Sequence, residues 1–151
     1  LERSGPIVLC LALIAIFWTS SAFTKQHWNA LVIHSYDPNF PSYQSIEEGL
    51  SQSLGGLNID LDVHYMDSKR FSDKVSTENF RALLSHKLQF SETEYDVVLS
   101  TDDNALNFVL SNKDELFGDI PVVFMGVNDQ SKLKALSEYS DIKGVMEQTP
   151  W

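Results

Sequence analysis

Two adjacent aspartates and an asparagine follow a short apolar run in LSTDDNALNF, Leu99 to Phe108. Such a trio can do four different things. A carboxylate pair can share general acid and base work, supply oxygen ligands to a cation, accept a phosphoryl group, or cap the helix that begins there. Adjacent residues at a helix start rarely face one reacting atom together, which weighs against paired catalysis. Asp102, Asp103, Asp67 and Asp129 can converge on one edge of a sheet, but no local calcium-loop spacing accompanies them. A phosphoacceptor site wants an acidic pair after the first strand, and that strand exits into His34-Ser35-Tyr36-Asp37. Capping is the plainest role. Thr101, Asp102 and Asp103 stand where a helix needs N-caps, and an anion there gains a few tenths to about 1 kcal/mol from the macrodipole. A cap at a sheet's ligand edge can also touch a ligand.

Other residues with chemical potential are scattered more widely. His34 and His64 fall on neighbouring strand-like runs, but no third ligand stands at metal spacing, so they read as hydrogen-bonded strand histidines. His27 and His86 read as surface residues. Tyr36, Phe40 and Tyr43 cluster around Pro38 and Pro41, where they either pack a proline-braced loop or hold a flat ligand. Lys69-Arg70-Phe71 suits an anionic ligand or offsets nearby acids. G-x-S-x-G, a phosphate-cradling glycine loop and H-E-x-x-H are all missing. The single cysteine, Cys10, excludes an internal disulfide and any cysteine-based metal site. It lies inside an apolar run behind Leu9, the wrong setting for lipid attachment.

The whole chain narrows the setting further. Its 151 residues suffice for one domain with a real core. A formal charge of -10, from 21 acidic and 11 basic residues, argues against nucleic acid and against electrostatic attachment to anionic lipid. PIVLCLALIAIFW, Pro6 to Trp18, follows Arg3 and precedes Thr19-Ser20-Ser21-Ala22. A basic start, an apolar core and a small-residue exit make residues 1–23 an N-terminal hydrophobic helix ahead of the domain, a signal peptide or, uncleaved, a membrane anchor. Residues 24–151 are then expected to work outside the cytoplasm.

Those residues must be positioned by alternating elements. Asn29–Ser35 is rich in strand formers. After DPNFPS, with Ser42 as N-cap, Tyr43, Ile46, Leu50 and Leu54 recur at helical spacing until Gly55-Gly56. Ile59–Tyr65 alternates as a strand, and Phe80, Leu83, Leu84 and Leu88 mark a second helix. Tyr95–Ser100 is a third strand, and Ala105, Leu106, Val109 and Leu110 mark a third helix. Ile120–Met125 is a fourth strand, Lys132–Leu136 a short helix, and Ile142–Met146 a fifth strand. The alternation predicts an α/β, doubly wound, Rossmann-like parallel sheet of about five strands. Ligands bind such sheets at the carboxyl edge, near the point where strand order reverses. The edge loops are residues 35–42, 66–71, 100–104 and 126–129.

Taken together, LVIHSYDPNFPSYQSIEEGL, YMDSKRFSD, VVLSTDDNALNFVL and PVVFMGVND resemble the ABC-transporter substrate-binding-protein-like family. The similarity covers roughly Ala30 to Glu147. It is to the versions that serve as periplasmic sensor regions of bacterial histidine kinases and diguanylate cyclases. The resemblance implies the first of two lobes of a type I periplasmic-binding-protein fold, with a second lobe to follow Trp151. It also implies a ligand-binding cleft lined by Ser35, Tyr36, Ser42, Asp102, Asn104, Gly126 and Asn128. Helix-start donors there suit a carboxylate and Asp102 suits an amino group, so the implied ligand is amino-acid-like. Within the acid pair, Asp103 is expected to be the structural cap, and Asp102 with Asn104 the ligand contacts. The expected function is an extracytoplasmic solute-binding module of a sensor or a transporter, partnered by a second lobe and by a signalling or permease component. No cofactor, metal or catalytic residue is expected. The alternative is an exported α/β hydrolase using Asp102 or Asp103.

Overall fold

The computed structural model describes residues 27–132 and 136–147. The expected N-terminal hydrophobic helix lies outside the described residues. The elements run β1 (Trp28–His34), α1 (Pro41–Leu54), β2 (Ile59–Tyr65), α2 (Lys74–Phe90), β3 (Val97–Thr101), α3 (Asp102–Ser111), β4 (Val122–Val127) and β5 (Ile142–Met146). A π-helical turn, Lys113–Phe117, follows α3, and a 3-10 turn, Gln130–Lys132, follows β4.

The five strands form one sheet in the order β2-β1-β3-β4-β5, every neighbouring pair parallel. This is an α/β fold with helices on both faces. Leu31, Ile33, Val98, Val122 and Phe124 project from one face into a core completed by Leu84 of α2 and by Ala105, Leu106 and Val109 of α3. Ala30, Val32 and Leu99 project from the other face against Leu50 of α1. Strand β1 is buried on both faces, which is why it reads as a continuous Leu31-Val32-Ile33 run. The edge strand β2, IDLDVHY, is only partly covered and keeps an alternating pattern.

Several local expectations change. Helix α1 starts one turn-position early: Phe40 is its N-cap residue and Pro41 fills the first helical position, where a missing N–H costs nothing. Ser42 is therefore inside the first turn and exposed, not the cap. Leu83 does not join the inner face of α2; it is exposed, while Leu84, one residue on, is buried. The inner face of that helix is made by Phe80, Leu84 and Leu88. The expected Lys132–Leu136 helix is represented by the 3-10 turn, with residues 133–135 outside the described residues. The π-helical turn was not visible in the sequence. Its buried Lys113 donates to the carbonyls of Gly118 and Ile120 and pairs with Asp141 Oδ2 at 2.8 Å. A wide turn that frees carbonyls is thus closed by a side chain contributed from within it.

Candidate functional site

Strand order reverses between β1 and β3, because the chain leaves β1 toward β2 and returns to the other side of β1 as β3. Their carboxyl ends are paired, with His34 opposite Thr101, so Ser35 and Asp102 leave the sheet side by side. At such a reversal the loops diverge, and this is where α/β sheets generally form their ligand crevices.

The turn from β3 into α3 is built on an unusual backbone. Asp102 has φ +66°, a left-handed conformation that costs a non-glycine residue free energy, though aspartate tolerates it better than most. Ser35 stabilises the turn. Its hydroxyl donates to the Thr101 carbonyl at 2.7 Å and accepts from the Ala105 N–H at 2.7 Å. It therefore bridges the two groups, four residues apart, that a regular helical turn would join directly. Ser35 is fully buried, and its carbonyl accepts from the Ser68 N–H (2.9 Å) and hydroxyl (2.6 Å). Asn104 Nδ2 continues the chain by donating to Ser68 Oγ at 2.8 Å.

Neither aspartate caps α3, correcting the capping expectation; Thr101 is the N-cap residue, and no side chain there closes the helix start. The left-handed turn sends the two carboxylates to opposite neighbours. Asp102 Oδ2 accepts from the Tyr43 hydroxyl of α1 at 2.9 Å. Asp103 accepts from the backbone N–H groups of Asn128 and Asp129, both at 3.2 Å, and from Lys132 Nζ at 2.7 Å. Asp103 thus braces the loop after β4 instead of its own helix. Burial raises the Asp102 pKa above the ordinary carboxylate value, the charges of Asp103 and Glu147 add to the rise, and the Tyr43 hydrogen bond and Lys69 oppose it. For Asp103 burial acts in the raising direction, but hydrogen bonds from Lys132, Asn128 and Asp129 outweigh it and the pKa is lowered. Two chemically identical neighbours are therefore pushed apart.

Around Asp102 the corner is aromatic. Tyr43 is fully buried, and its hydroxyl also accepts from the Tyr36 N–H at 2.9 Å. Tyr36 and Phe40 lie 4.4 Å apart by ring centroid, and Lys69 Nζ sits 4.4 Å from the first ring and 4.1 Å from the second, within cation–π range. Gly126, at φ +69°, belongs to an irregularity between β4 and β5. A Cβ there would stand 3.5 Å from Asp102 Oδ1, so space alone would tolerate one; the left-handed backbone is what favours glycine. Under this corner His34 is fully buried, stacked between Tyr43 (4.2 Å) and Tyr65 (5.0 Å), with Nδ1 2.7 Å from Thr101 Oγ1. Burial lowers its pKa below 6.5, against the attraction of Glu47.

The residues singled out by resemblance thus divide. Tyr36, Asp102 and Gly126 meet at one corner. Ser35 and Asn104 are joined through Ser68, with Ser35 inside and Asn104 exposed. Asn128 belongs to the Asp103 brace, and Ser42 joins none of these bonds. His34 and His64 are not a pair: His64 is in register with Ile33, so the two imidazoles project from opposite faces. Among the described residues no group of three His, Cys, Asp or Glu side chains is placed to hold a metal. Ser68 went unnoticed in the sequence because only the left-handed Asp67 before it (φ +54°) turns it toward Ser35. Arg70 is occupied locally, forking onto Asp67 at 2.6 to 2.9 Å. Beside Ser68 and Asn104 a groove of about 270 Å³ runs between the β2 exit and α3, floored by Met66 and Phe108 and walled by Asn107, Ser111 and Asn112.

Comparison with family models, with curated proteins and with solved structures finds no match to this chain.

Proposed function

We propose that the chain is a small-molecule binding module, the first lobe of a cleft of the periplasmic-binding-protein type, with the switch-point corner as its contact surface. The observation that carries this reading is the Asp102 corner itself. A strained, half-buried carboxylate lies at the reversal of strand order, with Lys69 and two aromatic rings beside it. An amino-acid-like ligand matches that set: its ammonium group would replace solvent at Asp102, and its carboxylate would meet Lys69 and the start of α3. The groove beside Asn104 has hydroxyl and amide walls and no charged residue in its lining, which suits a neutral side chain of such a ligand. The facing half of the cleft would come from a second lobe. Export by the Pro6–Trp18 segment would place the module outside the cytoplasm, as the receptor part of a sensor or a transport system.

Isothermal titration of the purified chain against the standard amino acids tests this directly. Heat with at least one of them, abolished by Asp102→Asn and weakened by Lys69→Ala, is expected. No heat with any amino acid removes the amino-acid reading.

One observation favours a second reading, an exported hydrolase. A raised carboxylate on a strained strand-to-helix turn is also a way to present a general acid or nucleophile. The two readings part on Asp102→Asn assayed against ester and amide substrates: turnover in the parent chain that this variant abolishes would make it an enzyme.

A further inference from the structure

Among the described residues strand β5 pairs with β4 on one side only, so its other edge is a row of peptide groups with no partner strand among them. The ladder fixes which groups these are. Val122 donates to the Asp141 carbonyl at 2.9 Å and Glu147 donates to the Val127 carbonyl at 2.8 Å. Odd-numbered residues of this strand therefore aim their N–H and C=O at β4. By the two-residue period, Gly144 and Met146 aim theirs at the open edge. The side chains of Lys143, Val145 and Glu147 share one face and are exposed. Val145 is 70% exposed, more than any other large apolar side chain among the described residues.

We propose that this edge is a self-association surface, at which two copies of the chain pair β5 with β5 antiparallel about a two-fold axis through Val145. Backbone and side chains agree on that register. Gly144 of one copy stands opposite Met146 of the other, and these are the residues whose peptide groups face that edge, so they exchange both hydrogen bonds. Val145 meets Val145 in the adjacent non-hydrogen-bonded pair, where Cα atoms approach to about 4.5 Å. The next such pair in each direction sets Lys143 opposite Glu147. The same pairing occurs twice by symmetry, as an isologous contact requires.

Charge selects this register over its neighbours. A chain carrying -10 overall resists meeting itself, and opposite charges placed directly across strands offset that locally, whereas like charges there destabilise. A two-fold shifted by one residue, onto Gly144, would set Lys143 against Val145 and leave Glu147 without a basic partner. The contact is short, below the roughly 1,200 Å² of a standard specific interface, so the dimer is weak and reversible. The inference does not rest on the ligand-binding reading: the contact is made along the outer edge of β5, and of its three side chains only Glu147 acts on the Asp102 corner, through its charge.

Sedimentation velocity on the full chain at increasing micromolar concentration tests it. The parent chain should show a monomer–dimer equilibrium. Lys143→Glu and Glu147→Lys should each raise the dissociation constant about tenfold, and the double variant should restore it. In a Cys10→Ser background, Val145→Cys should form a disulfide-linked dimer under mild oxidation, because the two-fold brings that position against itself. A chain that stays monomeric throughout overturns the proposal. A dimer whose affinity ignores both charge reversals, or that fails to cross-link through position 145, overturns it as well, since the contact then lies elsewhere.

Discussion

The junction of β1 with β3 and the outer pair β4–β5 are parts of one parallel sheet, yet their backbone polar groups are used differently. At the junction the buried Ser35 hydroxyl is spent on two partners, and Thr101, Tyr43 and Asp102 are linked into it by hydrogen bonds. At β5 the backbone has no partner strand along one edge among the described residues. The junction holds strain, because its partners over-determine it. The outer strand holds none of that kind and depends on close packing. Position in the sheet explains the difference: a central strand has neighbours on both sides and helices on both faces to supply partners, and an edge strand lacks half of them.

That contrast predicts where substitution hurts most. Gly144 of β5 has no room for a side chain: a Cβ would lie 2.1 Å from the Phe124 carbonyl oxygen and 2.5 Å from its ring. Neither atom can move without disturbing β4, whose Phe124 is a core residue. Gly144→Ala should therefore cost about 3 kcal/mol in urea unfolding, a larger loss than any single polar change at the junction. A loss under about 1 kcal/mol would mean that β5 can slide outward, and the packing contrast would fall with it. Next comes Ser35→Ala. It leaves the buried Thr101 carbonyl and Ala105 N–H without their bridge, an expected cost of about 2 kcal/mol. Ser35→Thr should recover part of it if the pocket admits the extra methyl.

These two positions also mark what the sequence could and could not disclose. Strand and helix order was legible because apolar runs and helical spacing report burial, and burial follows topology. The shared carboxyl edge was legible for the same reason, since parallel strands must all end there. The roles of Asp102 and Asp103 were not. Both stand where caps are favoured, and local propensity favours capping for each. The left-handed turn at Asp102 overrode it by directing one carboxylate to Tyr43, 59 residues away in sequence, and the other to the loop after β4. Contacts of that range leave no trace in spacing. Gly144 reads as an ordinary strand glycine until Phe124 is placed over it, and Ser68 reads as one more polar loop residue.

A smaller effect should appear as pH dependence, and it again separates the regions. Unfolded His34 takes up a proton near pH 6.5, whereas the buried imidazole resists it. In the window below 6.5 the unfolded chain binds more protons, so stability should fall as pH drops through it. His34→Gln should flatten that slope in thermal melts between pH 7 and 5. A second loss is expected further down, where Asp103, with its lowered pKa, finally protonates and gives up Lys132. Lys132→Met should shrink this second loss and leave the first, the Asn128 and Asp129 N–H groups still holding the Asp103 carboxylate. The first loss should not change in a Lys143→Glu chain held at concentrations where it is monomeric, because Lys143 is not among the groups that shift His34; the second should change slightly, because Lys143 helps hold the Asp141 carboxyl below its usual range.

The smallest expected change carries the most functional content. Asp102 is raised by burial, so it is the reverse of Asp103: the folded chain holds its proton in a window where the unfolded chain has released it, and stability falls as pH rises through that window. At neutral pH the ionised carboxylate is thus a net cost, on top of its left-handed backbone. Asp102→Asn keeps an acceptor for the Tyr43 hydroxyl, tolerates a positive φ, and removes the desolvated charge. It should gain about 0.5 kcal/mol at pH 7, and the gain should vanish in acid, where the parent residue is itself protonated. The same variant is expected to lose ligand heat. A residue that weakens the fold while serving the site is what a binding or catalytic role demands, and one that stabilises the fold at every pH would be merely structural. Melting Asp102→Asn beside the parent chain at pH 7 and pH 3.5 therefore decides between them: a destabilised variant at pH 7 would return Asp102 to the structural side and remove the junction's claim to be the functional region.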